Sequence, residues 1–434
     1  MSSRAAPRVR DIVAATIGNA LEFYDFLIYA LFAIQIGHAF FPSASAYVSL
    51  MFSLATFGAG FLTRPVGALV LGAYADRVGR RPAMLLSLVM IGASILALAV
   101  IPPYALIGMT APVLAVLARL VQGFSLGGEV GANTAFLGEV ALPERRGQTV
   151  SWQGVSQLMA LAAGSLVGTA LSALLPAAAL DAYGWRIAFL LGAMAVPVGY
   201  WLRGGLRETL HERDTEVSEA PGPAGGSSAQ AIAGPVPGRG ELARRHWRII
   251  GLGLVIIAAG TVGTDILDYI ATYAQATLHM SARAGFLAAF VGFAAGIPAE
   301  LIGGRLSARY GRWPVNAVCN LLFLLAIYPM FAWVAAARSA TALVCATALL
   351  SALSYANFGT FCASMIEALP RQIRSGAFGT AYATAIALFG GTTQLVVTWL
   401  IHLTGSAVAP AWYLIGCTAI GQIAYMLFPE TAPV

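Results

Sequence analysis

The chain has 434 residues, 59% of them hydrophobic and only 10% charged, with a formal net charge of +6. A soluble domain carries about 25% charged residues, so the composition argues against a water-soluble enzyme. All 25 basic residues are arginines. Without lysine there is no phosphate loop ending in Gly-Lys-Ser/Thr and no lysine Schiff base. The arginines are dispersed among apolar runs, not gathered into the basic face that nucleic acid requires.

Met1 to Arg10 is short and basic, leads into no cleavable leader pattern, and reads as a tail ahead of a first membrane span. Crossing ~30 Å of hydrocarbon takes ~20 apolar residues as helix. Twelve spans are expected near 12–37, 47–73, 83–101, 109–138, 149–174, 186–203, 249–274, 284–304, 314–335, 341–367, 377–401 and 410–429. Helices are required because an open sheet leaves backbone groups unsatisfied in lipid. Pro, Gly and Ser mark the turns, as in Phe41-Pro42-Ser43 and Ile101-Pro102-Pro103. Between spans six and seven, the acid-bearing and Pro/Gly/Ser-rich stretch 204–247 reads as a flexible linker. It divides the chain into two six-helix bundles, 1–203 and 248–434.

Twenty of the 25 arginines fall in the termini, the linker and the even-numbered connections. The positive-inside rule then puts both termini and the linker in the cytoplasm. Cys319, Cys345, Cys362 and Cys417 sit alone in apolar stretches, with neither disulfide nor zinc spacing. His38, His279 and His402 fall near the outer surface without ligand spacing, so no metal is expected.

Two sequence echoes link the halves. Gly72-Ala-Tyr-Ala-Asp76-Arg77-Val-Gly79-Arg80-Arg81 follows span 2, and Gly304-Arg-Leu-Ser-Ala308-Arg309-Tyr-Gly311-Arg312 follows span 8, 232 residues later. Glu139-Val-Ala-Leu-Pro143 after span 4 is echoed by Glu367-Ala-Leu369-Pro370 after span 10. Parallel repeats of this kind are a transporter plan with the substrate held between them near the midplane.

These residues resemble the major facilitator superfamily, whose signature G-x-x-x-D-R-x-G-R-R is matched by Gly72, Asp76, Arg77, Gly79, Arg80 and Arg81. The segments Gly18-Asn19-Ala-Leu-Glu22-Phe-Tyr-Asp25, Phe57-Gly-Ala-Gly-Phe-Leu-Thr-Arg64-Pro65 and Arg119-Leu-Val-Gln122-Gly123 narrow the likeness to its metabolite–proton symporters. Ser151-Trp-Gln-Gly-Val-Ser156-Gln157 and Leu278-His-Met-Ser281 look like the citrate–proton symporter branch. The resemblance implies an all-α membrane protein with the major facilitator fold. It also implies proton-driven symport of a small carboxylate, citrate-like, by alternating access across the cell inner membrane. No cofactor is expected, the partners being the bilayer, the substrate and protons, and the protein is expected to be a monomer and not an enzyme. Asp265 and Asp268 in span 7 depart from what a citrate carrier suggests, because anions oppose a tricarboxylate. They favour a zwitterionic or cationic metabolite as the alternative; an exporter of the same fold and a non-transporting sensor are the others.

Within span 1, Asn19, Glu22, Asp25 and Tyr29 share one helical face. Ionisable groups inside a membrane are costly and usually functional, so Glu22 and Asp25 are the proton-coupling candidates, with a structural ion pair as the alternative. Arg119, Gln122, Ser125, Glu129 and Asn133 share a face of span 4. The Arg119 guanidinium suits a carboxylate, with two charge-assisted hydrogen bonds, or a salt bridge to Asp25 or Glu22. Arg64 either joins the substrate site or snorkels to the cytoplasmic surface. Ser156, Gln157, Tyr355, Asn357, Tyr382 and Gln394 either line the cavity or join helices. The signature-turn residues, with Arg309 and Arg312, are expected to lock one conformation. Glu129, Glu139, Glu300 and Glu367 are expected to pair with those arginines.

Overall fold

A computed structural model of the chain describes residues 20, 23–78, 80–127, 146–204 and 239–431. Asn19, Glu22, Gly79, Glu129, Asn133, Glu139 and most of the linker lie outside the described residues, as do the side chains of Asp76, Arg80 and Arg81. Helix follows apolar run throughout, and no strand occurs among the described residues. The helices are α1 (Phe23–Leu31 and Ala33–Phe40), α2 (Ala46–Leu62 and Arg64–Val78), α3 (Arg80–Val100), α4 (Thr110–Leu126), α5 (Arg146–Leu174) and α6 (Trp185–Gly204). After the linker come α7 (Trp247–Asp268, continuing to Thr277), α8 (Ala282–Tyr310), α9 (Arg312–Ala337), α10 (Ala340–Ala368), α11 (Arg371–Ala385 and Thr393–Thr404) and α12 (Ala409–Met426). Each expected span is thus represented. Among the described residues eight helices are long and apolar enough to cross a bilayer, or nine with α1 counted as one span.

Several spans are less regular than their composition suggests, among them α7, which ends in a π-helical turn, Tyr273–Thr277. The halves of α1 are bent by 70° at Phe32, whose buried ring packs on Phe286 of α8 at 4.9 Å. No proline or glycine stands there, so tertiary packing sets the bend. In α2 the break at Thr63 precedes Pro65, which has no N–H to continue the helix. Thr63 instead donates its hydroxyl to the carbonyls of Gly60 (3.1 Å) and Leu120 (2.8 Å), stitching α2 to α4. A π-helical turn, Ile386–Gly390, interrupts α11.

Helix pairing repeats with an offset of six. α3 packs on α4 and α6, as α9 packs on α10 and α12; α2 packs on α4, as α8 packs on α10. Three further contacts join the sets: α2 with α11, α5 with α8, and α5 with α10. Small residues allow the close approaches. A Cβ at Gly123 would run into the Gly60 carbonyl oxygen, and one at Gly58 into that of Gly391 beyond the π turn. Exposed apolar side chains such as Leu69, Leu325 and Trp412 cover the outside, the surface a bilayer solvates.

The two ends of the bundle differ. At the end opposite the arginines, the sets meet directly. Gln35 donates to Gln275 (3.3 Å), Thr272 donates to the Ala30 carbonyl (3.3 Å), and Tyr47 stacks on His402 at 3.9 Å. A cavity occupies the arginine-rich half of the interface, and a separate pocket beside these contacts is lined by His38, Tyr47, Gln275 and His402.

Candidate functional site

The cavity is walled by α1, α2 and α5 on one side and by α7, α9, α10, α11 and α12 on the other. Of the residues expected at a substrate site, Arg64, Gln157, Asp265, Asp268, Tyr355, Asn357 and Tyr382 line it. Arg64 does not snorkel to the surface. It is buried, with its guanidinium 4.7 Å from the Phe61 ring centroid and 5.2 Å from that of Phe26. The break at Thr63 starts a new helical segment at Arg64, beside the Phe61 and Phe26 rings it lies over.

Asp265 and Asp268 lie one turn apart in α7, so both reach the same wall. Each is buried and each has one carboxyl oxygen without a hydrogen-bond partner. Tyr355 of α10 stands beside them with an unpartnered hydroxyl. Three asparagines complete this face: Asn357 donates to Asn320 (3.1 Å), which donates to Asn316 (3.0 Å) and to Gln422 of α12 (2.8 Å). Asn316 and Asn320 were not singled out from the sequence. Their only signal is two amides one turn apart in the apolar span 9.

Arg119 stands behind the wall. It does not line the cavity; its guanidinium lies over Tyr29 at 4.3 Å, near Phe57 and Phe26, and donates to Gln122. The ring of Phe26, which does line the cavity, intervenes. Arg119 is 1% exposed and its Nε and Nη2 have no acceptor. Asp25, equally buried, interacts electrostatically with Arg119, yet neither carboxyl oxygen has a hydrogen-bond partner, so the salt bridge weighed as the alternative role of Arg119 is not formed with Asp25. Tyr29, Gln122 and Ser156 are likewise buried outside the cavity wall.

The second signature copy divides. Arg309 is exposed beside Tyr310, and Arg77 of the first copy is exposed as well. Arg312 is buried and paired with Glu367 of α10 at 3.0 Å. Glu430 accepts from the backbone N–H groups of Arg312 (3.1 Å) and Trp313 (2.7 Å), capping the first turn of α9. Glu367 therefore meets the expectation of an arginine partner. Glu300 does not: neither oxygen has a hydrogen-bond partner, and the carboxyl is enclosed between α8 and α5 against Gly154. Among the described residues no group of three or more His, Cys, Asp or Glu side chains is arranged to hold a metal ion.

Two helical sets joined by α2–α11 and α5–α8, around a cavity with buried charges, define a membrane transporter fold. The chain belongs to the Major Facilitator Superfamily, whose model matches residues 15–393. It is 36% identical to a citrate-proton symporter of Salmonella typhi over 95% of this chain and 92% of the relative. It is 31% identical to the glycine betaine/proline/ectoine/pipecolic acid transporter OusA of Dickeya dadantii, over 98% of this chain and 83% of that one. Among solved structures, the partially occluded inward-open conformation of the xylose transporter XylE from E. coli superposes with a TM-score of 0.75 at 16% identity, covering 97% of this chain and 98% of that chain. The chain is thus a multi-pass membrane protein of this family.

Proposed function

We propose that the protein is a proton-coupled symporter that imports a small carboxylate across the inner membrane, with its arginine-rich end in the cytoplasm. The observation that carries this reading is Arg64, a buried guanidinium on the cavity wall. A carboxylate taken from water to that depth loses its hydration, and a guanidinium offsets the loss with two charge-assisted hydrogen bonds. Asp25, buried without a hydrogen-bond donor behind the same wall, is the proton-coupling residue. Arg119 acts on Asp25 and not on the ligand in this conformation. The excess of arginines at the cavity end supports the orientation, and the citrate-proton symporter relative supports both the coupling and the acid substrate.

Asp265 and Asp268 on the opposite wall favour a second reading, a zwitterion whose carboxylate meets Arg64 and whose cationic group meets the aspartates. The relative OusA supports it. Both readings keep a carboxylate on Arg64, and they separate by the net charge of the best ligand.

Uptake into proteoliposomes tests the proposal, with citrate, a dicarboxylate and glycine betaine each supplied at two pH values. Accumulation is expected only with an inward proton gradient. Asp25→Asn abolishes accumulation but retains exchange, and Arg64→Ala weakens binding more than Arg64→Lys. Accumulation indifferent to the gradient refutes the coupling. A best ligand with no carboxylate refutes the substrate class.

A further inference from the structure

One buried carboxyl has no part in the assignments above. Glu300 of α8 is completely buried, and both its oxygens lack a hydrogen-bond partner. It lies where α8 packs on α5, one of the helix pairs that join the halves. The α5 residue facing it is Gly154: a Cβ there would collide with both carboxyl oxygens. Gly154 is itself part of the cavity wall. The missing side chain thus both admits the carboxyl to the seam and leaves it one glycine's width from the cavity.

The groups around it suit proton transfer better than charge pairing. From α10, Tyr355 and Cys362 interact electrostatically with Glu300, and both line the cavity. The unpartnered Tyr355 hydroxyl also interacts with Asp265 and Asp268 of α7. A hydroxyl can both donate and accept a hydrogen bond, and the Tyr355 hydroxyl, like the Glu300 carboxyl, is buried without a partner in this conformation. Among the described side chains, no charged group of α5 or α9 interacts with Glu300. An ionised carboxylate with neither donor nor countercharge is strongly disfavoured inside a protein.

We propose that Glu300 is a second proton-binding residue of the transport cycle, protonated while α5 and α8 are closed over Gly154 and deprotonated when that seam opens to water. The α5–α8 contact is rebuilt whenever the halves rock about the substrate, so the proton on Glu300 is tied to the conformational exchange itself. The inference rests on the proposed proton coupling, and its failure is separable from a failure of that reading.

The test uses the full chain in proteoliposomes, comparing wild type with Glu300→Gln and Glu300→Asp for gradient-driven uptake of citrate and glycine betaine, for exchange without a gradient, and for the pH profile of uptake. If wild type accumulates neither ligand in response to the gradient, the coupling itself fails. Given a coupled wild type, Glu300→Gln is expected to keep exchange and to lose the Glu300 component of the pH dependence of uptake, leaving that of Asp25. Glu300→Asp is expected to restore the dependence with its midpoint moved by about one pH unit, a tenfold change in proton affinity. An unchanged accumulation ratio and pH profile in Glu300→Gln overturns the proposal. If that variant does not fold, Glu300→Asp decides: a displaced midpoint supports the proposal and an unchanged one overturns it.

Discussion

Replacing Glu367 with alanine strips a buried guanidinium of its counter-ion. Arg312 donates to the two Glu367 oxygens at 3.3 and 3.0 Å and to Ser307 at 2.9 Å, while Thr431 donates to Glu367 at 3.0 Å. The two side chains are 1% and 6% exposed, so water screens the pair little. Breaking a buried ion pair from one side costs about 3–5 kcal/mol because a bare charge is left behind. Ser307 still accepts one hydrogen bond, which places Glu367→Ala near the lower limit, about 3 kcal/mol or on the order of a hundredfold in an equilibrium constant. Glu367→Gln keeps an acceptor and loses only the charge, for about 1–2 kcal/mol. Removing both ions, in Arg312→Met with Glu367→Met, is expected to recover most of the loss, since no charge is then stranded. Thermal unfolding of the purified protein across the wild type, Arg312→Met alone, Glu367→Met alone and the double variant reads the coupling. A double variant that costs the sum of the singles, or a Glu367→Ala protein that melts with wild type, refutes the account of Arg312 as a buried charge held by Glu367.

Gly58→Leu forces a side chain into the Gly391 carbonyl and is expected to separate α2 from α11 and loosen the closed contacts between the halves. A cysteine introduced at Gln275 in a cysteine-free background should then react faster with a water-soluble thiol reagent, and an unchanged rate counts against this seal. Gly123→Ala overpacks the α2–α4 contact at the Gly60 carbonyl, a change expected to cost about 1–3 kcal/mol and to lower the melting temperature. Wild-type melting would mean that α2 and α4 do not need that close approach.

The apolar runs and their turn residues determined the helices, because backbone in lipid has to satisfy its own hydrogen bonds within a span. The repeated signature determined the six-span offset that the packing of α3 on α6 and α9 on α12 follows. Composition also singled out the buried charges Asp25, Arg64, Arg119, Asp265, Asp268 and Glu300, since a charge inside an apolar run is conspicuous, but not Glu430, which caps α9. The roles of those charges were another matter. Arg64 and Arg119 look alike as arginines within spans, but only the break at Thr63 and the rings of Phe26 and Phe61 decide that Arg64 reaches the cavity while Arg119 lies behind it. Glu300 and Glu367 read alike as acids near arginine-rich ends, yet Glu367 meets Arg312 and Glu300 meets the bare backbone of Gly154. Helical periodicity fixes which residues share a face of one helix. Which face meets which neighbour depends on contacts across 55 residues for Arg312 and Glu367 and 242 for Thr272 and Ala30, and only packing brings those partners together.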